Sequence, residues 1–110
     1  MAIFRSIPSK RIINGNVIET SESAIVTNSY YETNGEYVIV VKGIESCEIF
    51  LNGDTTDHVV IKSLTDVIVK TDTLIDEEFN EVELIKGSCV EFKKIGSFWY
   101  ILSSDGLKNP

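Results

Sequence analysis

Short apolar runs separated by glycine-containing turns dominate the chain, and this pattern predicts strands. Candidate strands fall at 2–6, 11–13, 16–19, 24–27, 37–42, 47–51, 59–63, 66–70, 81–85, 89–93 and 98–102. Glu81-Val82-Glu83-Leu84 alternates, so Val82 and Leu84 share a face turned from water, and Val90 and Phe92 do the same in the next run. Tyr37-Val38-Ile39-Val40-Val41 is apolar on both faces. Such a run is buried between two sheets or covered by another subunit. Asn14-Gly15, Asn34-Gly35, Asn52-Gly53, Lys86-Gly87 and Asp105-Gly106 punctuate the runs. Asn-Gly suits a tight hairpin because both central residues take positive φ.

Helix signals are weak. Residues 72–80 are too short for a stable helix and read as a loop with one helical turn at most. Strands spaced about 8–12 residues apart predict an all-β fold: one small β-sandwich, barrel or β-prism of short antiparallel strands over residues 1–110. No sequence repeat is visible. The predicted core is Ile39, Val41, Ile49, Leu51, Val60, Ile68, Val82, Leu84, Val90, Phe92, Trp99 and Ile101.

At 110 residues the chain has the size of one domain, which buries roughly two-thirds of its unfolded surface. The formal charge of -7 changes the list of partners, because an acidic surface disfavours nucleic acid and anionic membranes. No apolar run approaches the roughly 18 residues of a membrane helix. The first residues carry no basic start or long apolar stretch, so synthesis and folding in a cytoplasm are expected. Cys47 and Cys89 lie in strand-like runs without a third cysteine or a nearby histidine, so they read as reduced, buried thiols and not as a zinc site or disulfide.

Little in the sequence points to catalysis. His58 is the only histidine, and a hydrolase would have to join it to Ser103, Ser104 and Asp105. Those serines lack the strained elbow that exposes a nucleophile and read as a strand end followed by a turn. Asp72, Asp76, Glu77 and Glu78 offer hard oxygen ligands, but their spacing lacks the alternation and central glycine of a calcium loop. No metal or cofactor is expected. Tyr30 and Tyr31, in a polar stretch, are the aromatic pair best suited to stack on a sugar or meet a partner.

The most specific pattern is the order of motifs in the second half. Val59-Val60-Ile61-Lys62-Ser63-Leu64 is followed by Val67-Ile68-Val69 and Leu74-Ile75-Asp76. Gly87-Ser88-Cys89-Val90-Glu91-Phe92 comes next, and Gly96-Ser97-Phe98-Trp99-Tyr100-Ile101-Leu102-Ser103-Ser104-Asp105-Gly106 closes it. Over about residues 52–107 this order resembles a β-module common in tailed-bacteriophage virion proteins, particularly fibre, neck and spike components. The resemblance implies that Trp99 and Tyr100 anchor the final strand and that Gly96 makes the turn before it. It also implies a homo-oligomer, most often a trimer, that joins other virion proteins without enzymatic activity. Fibre repeats and a helical stalk are missing here, which points to a small cap, collar, spike or decoration protein. Recognition of a host-surface glycan through Tyr30 and Tyr31 is the alternative function.

Overall fold

A computed structural model of the chain describes residues 10–13, 16–19 and 23–108, with side chains placed over 23–105. The strand predicted at 2–6 lies outside the described residues. All regular structure described is β. Strands β1 (Lys10–Ile13) and β2 (Asn16–Glu19) pair antiparallel with Ile13 opposite Asn16, as a two-residue hairpin connection requires.

The remaining strands form one eight-stranded sheet. They are β3 (Ser23–Val26), β4 (Tyr30–Glu32), β5 (Val38–Val41), β6 (Ser46–Leu51), β7 (His58–Ser63), β8 (Asp66–Ile75), β9 (Phe79–Ile95) and β10 (Phe98–Lys108). β3, β5 and β7 stack in parallel, and so do β4, β6 and β8. The chain therefore alternates between two stacks and lays down one strand on each per layer. β9 closes both stacks, running antiparallel first to β8 and then to β7. β10 folds back along β9 as a second closing strand.

The all-β class is thus present, but the expected antiparallel order is confined to β1–β2 and to the closing strands. Gly35 and Gly53 explain the difference. Asn34-Gly35 and Asn52-Gly53 make corners that carry the chain from one stack to the other, not hairpins. Gly35 takes φ 91° and donates its N–H to Thr56 Oγ1 at 2.8 Å, so one corner is tied to the next layer's corner. Lys86-Gly87 is also not a hairpin. β9 is one 17-residue strand where two were expected, and it bends at Gly87, whose φ is 95°. Asp105-Gly106 lies within β10, at a register shift between Asp105 and Leu107.

Side chains of matching position stack through the layers to make the core. Ala24, Ile39, Ile61 and Val90 form one column, and Tyr31, Ile49, Val69 and Val82 form another. Cys47, Val67 and Leu84 form a third. Ile39, Ile49, Ile61, Val69 and Val90 have no exposed surface. Each such side chain contributes about 1.5–3 kcal/mol by leaving water. Val60 and Ile68, predicted as core, turn outward and are only half-buried; Val59 and Ile61, and Val67 and Val69, point inward instead. Runs of three apolar residues carry no period, so the sequence could not fix their parity. Ile101 is partly buried against the core.

Residues 72–80 hold no helical turn. β8 continues to Ile75, and a tight reversal over 76–78 leads into β9 with Ile75 opposite Phe79. Asp76 and Glu77 both take left-handed backbone conformations, with φ 55° and 59°. Contacts hold them there: Asp76 N–H donates to Trp99 C=O at 2.7 Å, and Ile101 N–H donates to Asp76 Oδ1 at 3.0 Å.

Candidate functional site

The side chains with catalytic potential meet on the outer face of the stack that contains β7. His58 opens β7, Glu91 lies in the second half of β9, and Ser103 lies in β10 opposite Glu91. His58 Nε2 is 2.5 Å from Glu91 Oε2, and Ser103 Oγ donates to Glu91 Oε1 at 3.1 Å. The Tyr37 ring stands edge-on to the imidazole, 5.2 Å away. The histidine contact holds the Glu91 carboxyl below its usual range, opposed by burial and aided by Ser103.

Sequence reasoning considered His58 with Ser103, Ser104 and Asp105, and the structure does bring His58 and Ser103 to one place. Their order is wrong for nucleophilic catalysis. A triad needs the imidazole between hydroxyl and carboxylate, so that the base removes the hydroxyl proton. Here the carboxylate sits in the middle, and histidine and serine address its two oxygens. Ser104 and Asp105 pair with Val90 and Cys89 as ordinary strand residues, and the turn expected there is not formed.

Tyr30 and Tyr31 occupy successive positions of β4 and face opposite ways. Tyr30 is 49% exposed and stands in an outer row with Glu48, Ile68 and Glu83. Tyr31 packs against the core and gives its hydroxyl proton to the Glu36 carboxylate. The two rings therefore make no common stacking platform. Strand β4 itself was not predicted, because two tyrosines beside Glu32 and Asn28 look like a loop.

Glu36 is the residue that sequence reasoning missed. It is 6% exposed, and its carboxylate also accepts the Asn34 N–H at 2.7 Å. Around it, Thr55 Oγ1 donates to Thr33 C=O and Asn52 N–H donates to Thr33 Oγ1, each at 2.8 Å. This corner is an architectural site. Burial, followed by the neighbouring Glu36 carboxylate, pushes the Tyr31 phenol up to about 12. A folded value above the ordinary 10 means that the neutral phenol is favoured in the fold. The contribution is complete below about pH 10 and is lost as pH rises through about 12. In pH-dependent denaturation, Tyr31→Phe is therefore expected to lose stability at neutral pH and to show a shallower decline over that window. Equal alkaline slopes in the two proteins would contradict the assignment.

The predicted anchors lie at the closing end. Gly96 takes φ 67° in the turn joining β9 to β10, where Ile95 faces Phe98. Trp99 is fully buried, and Tyr100 donates its hydroxyl to Glu77 Oε2 at 2.7 Å. That hydrogen bond raises the Tyr100 phenol above its ordinary value. Two of the four carboxylates considered as metal ligands, Asp76 and Glu77, are thus engaged in holding β10. Among the described residues no group of three or more His, Cys, Asp or Glu is placed to share a metal ion.

No family model matches this chain, and no curated protein matches it. The surface itself carries what further information there is. A cavity of about 360 Å³ borders Ser29, Cys47, Glu48, Asp66, Glu83 and Leu84. Cys47 is buried, and burial raises its thiol above the usual value, so it is held as a neutral thiol and not as a nucleophile. Cys89 is half-buried on the outer face of the other stack, and neither cysteine is in a disulfide. That outer face also carries Ile25 beside Val40 and Val38 beside Val60, an apolar surface formed by the strands whose run was apolar on both sides.

Proposed function

We propose that this chain is a non-enzymatic structural part of a tailed-phage virion that works by self-association and docking, with three copies as the assembly. The carrying observation is the outer apolar surface of Ile25, Val38, Val40 and Val60, on a body whose other end is closed by β9 and β10. Ile25 is 64% exposed in the single chain, and such a surface is stabilised by leaving water against another subunit. The order of motifs from Asn52 to Leu107, with Trp99 as a buried anchor of the last strand, supports the virion reading. Layered strands with a continuous core also suit a stiff mechanical element, because each layer is held by its neighbours. Thermal unfolding followed over about a hundredfold range of protein concentration tests the reading. Association predicts a midpoint that rises with concentration by mass action. A midpoint independent of concentration would contradict it.

A second reading, contact with a host-surface glycan, is favoured by one observation: the exposed Tyr30 ring stands in a row with Glu48 and Glu83, which can accept sugar hydroxyls. A glycan array gives the test. Signals abolished by Tyr30→Ala would support it, and an array without signals would remove it.

A further inference from the structure

The two ends of the layered body differ. At one end β9 and β10 close both stacks. At the other, β3 and β4 each have one strand partner, β5 and β6, and among the described residues no strand pairs with their outer edges.

Backbone direction identifies which groups are left at those edges. Along an extended strand the N–H and C=O of one residue point to the same side, and the next residue points to the other. Val26 C=O accepts from Lys42 N–H at 3.0 Å, so Val26 and Ala24 address β5 and Ile25 addresses the open side. Ser29 C=O accepts from Glu48 N–H at 2.9 Å, and Thr33 N–H donates to Phe50 C=O at 3.0 Å. By the same alternation, Tyr30 and Glu32 address the open side of β4.

An open edge is normally protected by charge, proline or a bulge. Residues 23–27, Ser-Ala-Ile-Val-Thr, contain no charge and no proline, and β3 pairs with β5 in unbroken register. Glu32 is the one charge on the β4 edge, and its carboxylate already accepts from Asn52 Nδ2 at 2.5 Å. Ala24 and Tyr31, the last members of their core columns, are only half-buried. The end is unfinished in both its hydrogen bonds and its core.

We propose that this end binds further copies of the same chain, β3 of one copy adding edge-to-edge to β4 of the next. The inference rests on the self-association proposed above and says which surface forms it. Backbone donors and acceptors in a row select an extended strand as occupant. Another copy fits because each chain carries two such edges at one end, and rotation about an axis pairs every β3 with a neighbouring β4 and leaves none open. The closing hairpin at the far end prevents continuation into a filament. The half-exposed ends of the core columns would meet around the axis.

Residue-resolved amide exchange on the full chain, together with the solution mass of Ile25→Pro, provides the test. Proline at 25 removes an N–H that points away from β5, so the internal ladder keeps its bonds. In the wild type, the Ile25 and Glu32 amides are expected to exchange at least about 100-fold more slowly than in an unstructured chain. Ile25→Pro is expected to have the mass of one subunit with its strand content retained. If the variant fails to fold, exchange in the wild type decides alone. Fast exchange at Ile25 and Glu32 in an oligomeric wild type, or an unchanged oligomer mass in a folded Ile25→Pro, would overturn this interface and leave self-association standing. A single-subunit wild type would overturn both.

Discussion

Trp99→Ala is expected to lower the unfolding free energy by about 3–5 kcal/mol, the range for removing a large aromatic from a packed core. Trp99 is the largest fully buried side chain, and it belongs to the strand that completes the closed end. Its backbone matters as well. Trp99 C=O accepts from Asp76 N–H, and Trp99 pairs with Ile75 across to β8. Loss of the ring therefore loosens β10, the turn at 76–78 and the end of β8 together. The indole Nε1 makes no hydrogen bond to another described group, so the ring acts through its volume. Trp99→Phe should consequently retain more than half of the stability that alanine loses, as read by denaturant unfolding. Equal losses for phenylalanine and alanine would show that the ring's packing is not what holds the strand.

A second large effect follows from the direction of side chains in neighbouring strands. Ile49→Ala is expected to cost about 2–5 kcal/mol, because Ile49 is fully buried in the column with Tyr31, Val69 and Val82. Ile68→Ala removes the same atoms one strand away and is expected to cost about 1 kcal/mol or less. Ile68 pairs with Glu48 and Glu83 on the outer side and remains half-buried. Parallel denaturation curves for the two variants would test the register directly. A larger loss at Ile68 would mean that β8 is turned over.

The contrast between those two isoleucines also shows what the sequence could reveal. Where charge and apolar residues alternate, as in Glu81-Val82-Glu83-Leu84, both the strand and its buried face were legible. Val67-Ile68-Val69 revealed a strand without its parity. The Asn-Gly pairs marked reversals correctly, but a corner between parallel stacks and a hairpin use the same residues. Only long-range pairing separates them. Connections of unequal length, at 27–29, 42–45 and 64–65, hid the layering from any search for a repeat.

The candidate site was less legible for a related reason. The sequence offered His58 and Ser103 as reactive types, but the residue that joins them is Glu91, which alternation had marked only as a solvent-facing position. Glu36 stood in a polar stretch and carried no sign of burial, since its partners come from Tyr31 and Asn34 within the same corner. Gly96, Trp99 and Tyr100 were readable because a turn glycine and large aromatics in a closing strand have few other uses.

The central claim is that copies of this chain assemble through surfaces left apolar or unpaired in the single subunit. Light scattering coupled to size-exclusion chromatography measures it most directly. The account predicts the mass of three subunits; the mass of one subunit across the accessible concentration range would contradict it.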